Sequence, residues 1–251
     1  VPTLLGVMLI TFAIVQVLPG GPIEQIIARV QGTDTDSTSR ITGNSGNNIL
    51  AGLGGADQLV GGAGTDTVTY AASGAEVDVS LMTGLGSGGD AQGDILSGIE
   101  NLTGSNFDDI LEGNAGINVL NGGLGIDTVS YANAGSGVKV SLAVTKAQNT
   151  LGAGSDRLSG FENLTGSAFN DTLTGNTGNN ILRGLAGNDI LNGGAGADTF
   201  DFSSLSDGSD TITDFATGID DIGLVSLFDA AGLGGLDYAT LISQGNLIIQ
   251  T

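Results

Sequence analysis

Residues 166–201 read GSAFNDTLT (166–174), GNTGNNILR (175–183), GLAGNDILN (184–192) and GGAGADTFD (193–201). Glycine opens every unit, Asp or Asn holds the sixth place, and Leu or Phe the eighth. A nine-residue period with small residues first and one apolar residue near the end predicts a stacked coil. A unit this short has no core of its own and buries its apolar residue only against its neighbours. Working outward, two more tandem blocks share the pattern: GNSGNNILA, GLGGADQLV and GGAGTDTVT over 43–69, and GSNFDDILE, GNAGINVLN and GGLGIDTVS over 104–130. The eighth places are the predicted core: Leu50, Leu59 and Val68, then Leu111, Leu120 and Val129, then Leu173, Leu182, Leu191 and Phe200.

The sixth place indicates the chemistry. Asp171, Asp189 and Asp198, with Asn180 among them, offer only oxygen ligands, and one such side chain cannot complete the six to eight oxygens that calcium takes. If two units make one turn of the coil, residues eighteen apart face each other: Asp171 with Asp189, Asn180 with Asp198, Asp109 with Asp127, and Asn48 with Asp66. Two side chains and about four carbonyls of stacked loops then fill a shell. An Asn in place of Asp lowers the ligand charge and weakens the site. Asp57 is left with one flank, because Ala75 stands eighteen residues on; Asp207, eighteen beyond Asp189, is placed to close a last site. Glu100 precedes Asn118 by eighteen and Glu162 precedes Asn180 by eighteen, though a solvated surface acid is the preferred reading of both. The glycines of these loops are included in the sites: Gly61, Gly62, Gly64, Gly122, Gly123, Gly125, Gly184, Gly187, Gly193, Gly194 and Gly196. They turn carbonyls inward, where neighbouring backbones lie only ~4.8 Å apart.

GGAGTDTVT, GGLGIDTVS and GGAGADTFD match GGxGxDxUx, and the chain resembles the haemolysin-type (RTX) calcium-binding repeat. The resemblance implies an all-β fold, a right-handed parallel β-roll (β-solenoid). In such a roll the first six residues of each unit bind calcium and the last three form a short strand. It also implies several calcium ions, an extracellular location and a type I exporter of a Gram-negative bacterium as partner.

Composition narrows the function. The chain of 251 residues has 45 Gly, 4% aromatic residues and no Cys, His or Trp, so thiolate and imidazole metal sites and the usual general base are excluded. With 27 acidic and 6 basic residues its net charge is −21, which argues against nucleic acid and for cations. One buried side chain per nine ordered residues leaves the apolar term short of the ordering entropy, and crowded carboxylates widen the gap. The metal-free chain is therefore expected to be largely disordered, with calcium supplying the missing folding free energy.

The flanks differ from the repeats. Val1–Leu18, VPTLLGVMLITFAIVQVL, is uncharged and about the minimum length of a membrane span. Through PGGPIEQIIARVQG, residues 2–32 resemble the first membrane span of a peptide-type ABC importer permease. A hydrophobic helix outside the roll is expected over 1–30. It is read as an in-frame fusion or truncation accident in preference to a membrane anchor. Residues 31–40 read as a linker. The roll is expected over 41–202. YAASG…GIENLTGS from Tyr70 returns as YANAG…GFENLTGS from Tyr131, so a longer repeat encloses the short one, with Leu102 and Leu164 of the two NLT segments facing inward. Residues 203–251 are read as a cap with part of an export region. The leading function is a non-catalytic calcium-binding module; the alternatives are the C-terminal module of a secreted RTX enzyme or toxin and a calcium-rigidified adhesin.

Overall fold

The computed structural model describes residues 39–224, except 203, 205 and 206, together with the backbone of 24–26. The expectations for residues 1–23 and 27–38 and for the end of the chain beyond 224 lie outside the described residues. The chain divides into two compact units, Val1–Asp127 and Thr128–Thr251.

The first unit contains β1 (Glu24–Ile26), β2 (Arg40–Thr42), β3 (Asn48–Leu50), β4 (Gln58–Val60), β5 (Thr67–Thr69), β6 (Asp78–Ser80), β7 (Leu85–Ser87), β8 (Ile95–Ser97), β9 (Asn101–Thr103), β10 (Ile110–Glu112) and β11 (Val119–Asn121). Successive nonapeptides send their strands to opposite faces. One face runs β1-β3-β5-β9-β11, parallel throughout, and Leu50 of β3 lies beside Val68 of β5, eighteen residues on. The other runs β2-β4-β8-β7-β6-β10, in which β7 is antiparallel to both its neighbours. This β6–β7–β8 excursion is how the first long insert is accommodated: it widens one face, and the parallel ladder resumes at β10.

The second unit contains β12 (Thr128–Ser130), β13 (Lys139–Ser141), β14 (Gln148–Leu151), β15 (Gly154–Ser159), β16 (Asn163–Thr165), β17 (Thr172–Thr174), β18 (Ile181–Arg183), β19 (Ile190–Asn192), β20 (Thr199–Asp201), β21 (Thr211–Ile212) and β22 (Asp221–Gly223). Its faces are β12-β16-β18-β20-β22 and β13-β17-β19-β21, all parallel, and β14 and β15 form an antiparallel hairpin in the second insert.

The strands of the nonapeptide repeats are three residues long, and their middle residue points inward because side chains alternate across a strand. Every predicted eighth-place residue is fully buried, from Leu50 to Phe200, as are Leu102 and Leu164. The architecture is the parallel β-roll expected. Two boundaries moved. Glu24–Ile26, inside the stretch expected to be helical, is a strand paired with β3, and Arg40, assigned to the linker, opens β2. An unpaired ladder edge recruits any neighbouring extended segment, whatever its hydropathy. Among the described residues no helix is long and apolar enough to cross a membrane.

Because each rung buries one side chain toward the interior, deletions there leave cavities that the flat sheets cannot collapse around. Leu182→Ala is expected to cost about 2–5 kcal/mol in denaturant unfolding of the calcium-saturated chain. Its neighbour Ile181, 41% exposed, is expected to lose no more than ~0.5 kcal/mol on the same change.

Candidate metal centre

The two edges of the roll are the glycine-rich turns, and the turns are layered. A Cβ placed on Gly62 would meet the carbonyl oxygen of Asn44 at 2.5 Å, and one on Gly64 that of Gly46 at 2.5 Å. In the same way Gly125 lies over Phe107 and Gly196 over Gly178, in each case eighteen residues apart. These second- and fourth-place glycines adopt φ of 106° at Gly62 and 128° at Gly64, open to glycine and strained for other residues. Leu53 and Leu185, which replace glycine at the second place, are forced to φ of 62° and 71°. The opening glycine has a different reason: a Cβ on Gly61 would sit 2.6 Å from Asp66 Oδ2 and against the carbonyl oxygen of Gly98.

The sixth-place side chains form a ladder between layers. The Asn48 N–H donates to Asp66 Oδ1 (2.7 Å), Asp109 N–H to Asp127 Oδ1 (2.8 Å), Asp171 N–H to Asp189 Oδ1 (2.8 Å) and Asn180 N–H to Asp198 Oδ1 (2.9 Å). All four predicted facing pairs are thus brought together. Within each pair the two members differ. Asn48, Asn118 and Asn180 turn their amide oxygens onto the N–H of the second residue of their own turn, at 2.7–2.8 Å. Asp109 accepts the Ser105 N–H on Oδ2 and the Ser105 hydroxyl on Oδ1, and Asp171 is held the same way by Ser167. These turns are closed by their own hydrogen bonds. In the turns of Asp57, Asp66 and Asp189, which open Gly-Leu or Gly-Gly, the carboxylate Oδ2 is buried and accepts no hydrogen bond.

Three assignments change. Asp57 is flanked on both sides, since Ser39 N–H donates to its Oδ1 and its own N–H donates to Asp94 Oδ1, 37 residues on. The insert carries the chain away and returns it at Asp94, which residue counting does not reveal. The place beyond Asp189 belongs to Asp210 Oδ1 (2.8 Å) and not to Asp207, whose Oδ2 accepts the Ser204 N–H and whose carbonyl accepts the Gly187 N–H. Glu100 is no solvated surface acid: its Oε2 accepts the Asp66 N–H at 2.7 Å. The fifth place was overlooked. Asn47, Asp108, Asn170 and Asn179 each accept the N–H of the residue eighteen further on, at 2.8–2.9 Å. The doublets NN, DD and ND carry that signal in the sequence.

At the inserts a phenol takes the second oxygen. Tyr70 donates to Asp94 Oδ2 (2.9 Å) and Tyr131 to Asp156 Oδ2 (3.1 Å), all four residues buried.

Electrostatics favours a cation. Burial, and then the charges of Asp171, Asp210 and Asp207, push the Asp189 carboxyl up to about 7; burial raises Asp94 to about 6, and Asp57, Asp171, Asp198 and Asp210 also move upward, chiefly by burial. Arg183 pairs with Asp201, and the chain has only 6 basic residues against 27 acidic ones, so little positive charge opposes this row. Among the described residues, no three acidic side chains converge on one point. A bound ion must therefore take its remaining oxygens from backbone or amide carbonyls or from water. Buried oxygens without partners, a cradle that a Cβ would fill and an all-oxygen donor set fit calcium.

Residues 34–69, 94–129 and 165–200 match the family of the RTX calcium-binding nonapeptide repeat (4 copies). These are RTX calcium-binding repeats. Through them the chain binds calcium, several ions across the RTX turns. A stretch of 58 residues is also 36% identical to the peptidoglycan transport system permease protein YejB of Agrobacterium fabrum, over 23% of this chain and 15% of that protein's length.

The raised carboxyl groups give a pH dependence. A folded pKa above the unfolded 3.8 means that the metal-free RTX roll holds protons the unfolded chain releases. That contribution is present below about pH 4 and is lost as pH rises to about 7. In chelator, acidification from about pH 7 to 4.5 is expected to raise the β signal in circular dichroism. With calcium just sufficient for folding, the same change is expected to lower it, because protons displace the ion.

Proposed function

We propose that the chain is a non-catalytic RTX module, exported from a bacterial cell in a largely unfolded state and folded outside it by calcium. The observation that carries this reading is the set of buried carboxylate oxygens on Asp57, Asp66 and Asp189 that no donor reaches. Each leaves a desolvated anionic oxygen uncompensated, and several such groups are too costly for a protein of marginal stability. A divalent ion removes the penalty and ties one layer to the next, so metal binding and folding become one event.

In this reading Asp66, Asp189, Asp127, Asp198 and Asp57 hold the ions, with carbonyls of the layered Gly-rich turns completing each shell. Asp109, Asp171, Asn48, Asn118 and Asn180 build the floor beneath. Export fits the ion: a chain that is disordered where calcium is scarce passes through a channel unfolded and orders where calcium is plentiful. A type I exporter and a Gram-negative source come from the family resemblance. A membrane role would require Val1–Leu18 to be a span.

The test is circular dichroism on the chain in chelator and then in excess calcium. A coil spectrum converting to β on addition of the metal is expected; a β signal indifferent to calcium rules the reading out. Replacing both Asp171 and Asp189 by Ala is expected to remove at least one ion from the calorimetric stoichiometry and to loosen the third block. Unchanged stoichiometry would mean that the ions are not held between these turns.

A further inference from the structure

The unsatisfied oxygens do not fall at random along the roll. Asp66 and Asp189 are the last residues of their edges before the regular spacing fails. The carboxylates that cover them, Glu100 and Asp210, stand 34 and 21 residues on instead of eighteen. Neither belongs to a GGxGxD unit. Glu100 returns the chain from the first insert, and Asp210 belongs to a DGSD turn beyond the family match that ends at residue 200.

Both junctions have the geometry of a regular layer. Glu100 Oε2 accepts the Asp66 N–H and Asp210 Oδ1 the Asp189 N–H, as the sixth-place Asp does elsewhere. The turns are layered too. The carbonyl oxygen of Gly98 packs on Gly61, Gly208 packs on the carbonyl oxygen of Gly187, and Ser209 N–H donates to Asn188 Oδ1 at 2.9 Å. In each case a second carboxylate has been stacked on one that is already buried and short of a partner. Hydrogen bonding through a single N–H does not balance that repulsion; a divalent ion between the two carboxylates does.

We propose that Glu100 and Asp210 are calcium ligands, paired with Asp66 and Asp189, and that these two ions fasten the first insert and the turn over residues 207–210 onto the roll. The proposal rests on the calcium reading above. It means that metal adds to the apolar contacts that these non-repetitive segments already make, such as buried Val77, Val79 and Ile99 and the Phe200–Phe215 ring pair.

Calcium titration by calorimetry on the full chain tests this. Glu100→Gln and Asp210→Asn each keep an oxygen for the N–H they accept and remove only the charge. Each is expected to lose an ion or to weaken one about tenfold or more, while the calcium-loaded circular dichroism stays that of the parent. Parental stoichiometry and affinity in both variants overturn the proposal and leave calcium binding by the repeats standing. A parent chain that takes up no calcium overturns the reading beneath it. Should a variant fail to fold in saturating calcium, the side-chain carboxyl carbon signals of Glu100 and Asp210 in the parent chain decide. Movement with calcium supports the pairing, and no movement defeats it.

Discussion

The roll depends on a hydrogen bond that carries its own penalty. A backbone N–H at the sixth place of one turn donates to the carboxylate at the sixth place of the next, at 2.7–2.9 Å. Layers of a parallel sheet lie about 4.8 Å apart, so any device that uses a carboxylate at every layer stacks negative charge at that interval. Water cannot screen it, because Asp57, Asp66, Asp127 and Asp189 are buried almost completely. The ladder fixes the register of the turns and at the same time leaves buried anionic oxygens that favour a cation. Shape and cation binding therefore have one cause.

The inserts show what the ladder tolerates. Between Asp57 and Asp94 the chain makes the antiparallel β6–β7–β8 excursion, and between Val138 and Asp171 it makes the β14–β15 hairpin, yet the N–H to carboxylate bond is restored on the far side of both. Loop closure over some thirty residues is cheap, since its entropic cost grows only with the logarithm of length. What has to be preserved is a carboxylate at the return point. The phenols of Tyr70 and Tyr131 donate to the second oxygen of Asp94 and of Asp156, so these two carboxylates, both in the inserts, are capped by a side chain.

Much of this was legible in the sequence. The period alone placed Leu182 and Phe200 in the core, and the eighteen-residue spacing paired Asp171 with Asp189, because in a solenoid distance along the chain maps onto distance between layers. Legibility ended where that mapping does. Asp94 and Asp210 took places that counting assigned to Ala75 and Asp207, since an insert of arbitrary length breaks the arithmetic without breaking the ladder. Glu100 was in register and was still read as a surface acid, because a sequence does not show which of two faces a lone charged residue takes. The difference between closed and open turns was likewise hidden, although its signal, Asn or Ser against Gly or Leu at the second place, was in view.

That difference explains why the repeats are not identical. In all four regular pairs the earlier member is closed, by an Asn that caps its own turn or by an Asp held by Ser, and the later member belongs to a Gly-Gly or Gly-Leu turn. Each regular pair therefore sets one closed turn against one open turn. A stack of identical open turns would place divalent ions about 4.8 Å apart, well inside the screening length at physiological ionic strength, and make each oppose the next. A stack of closed turns would offer an ion no free carboxylate oxygen. Pairing keeps both the ladder and the site, with the closed layer supplying the N–H that orients each carboxylate and the open layer leaving its second oxygen to the ion.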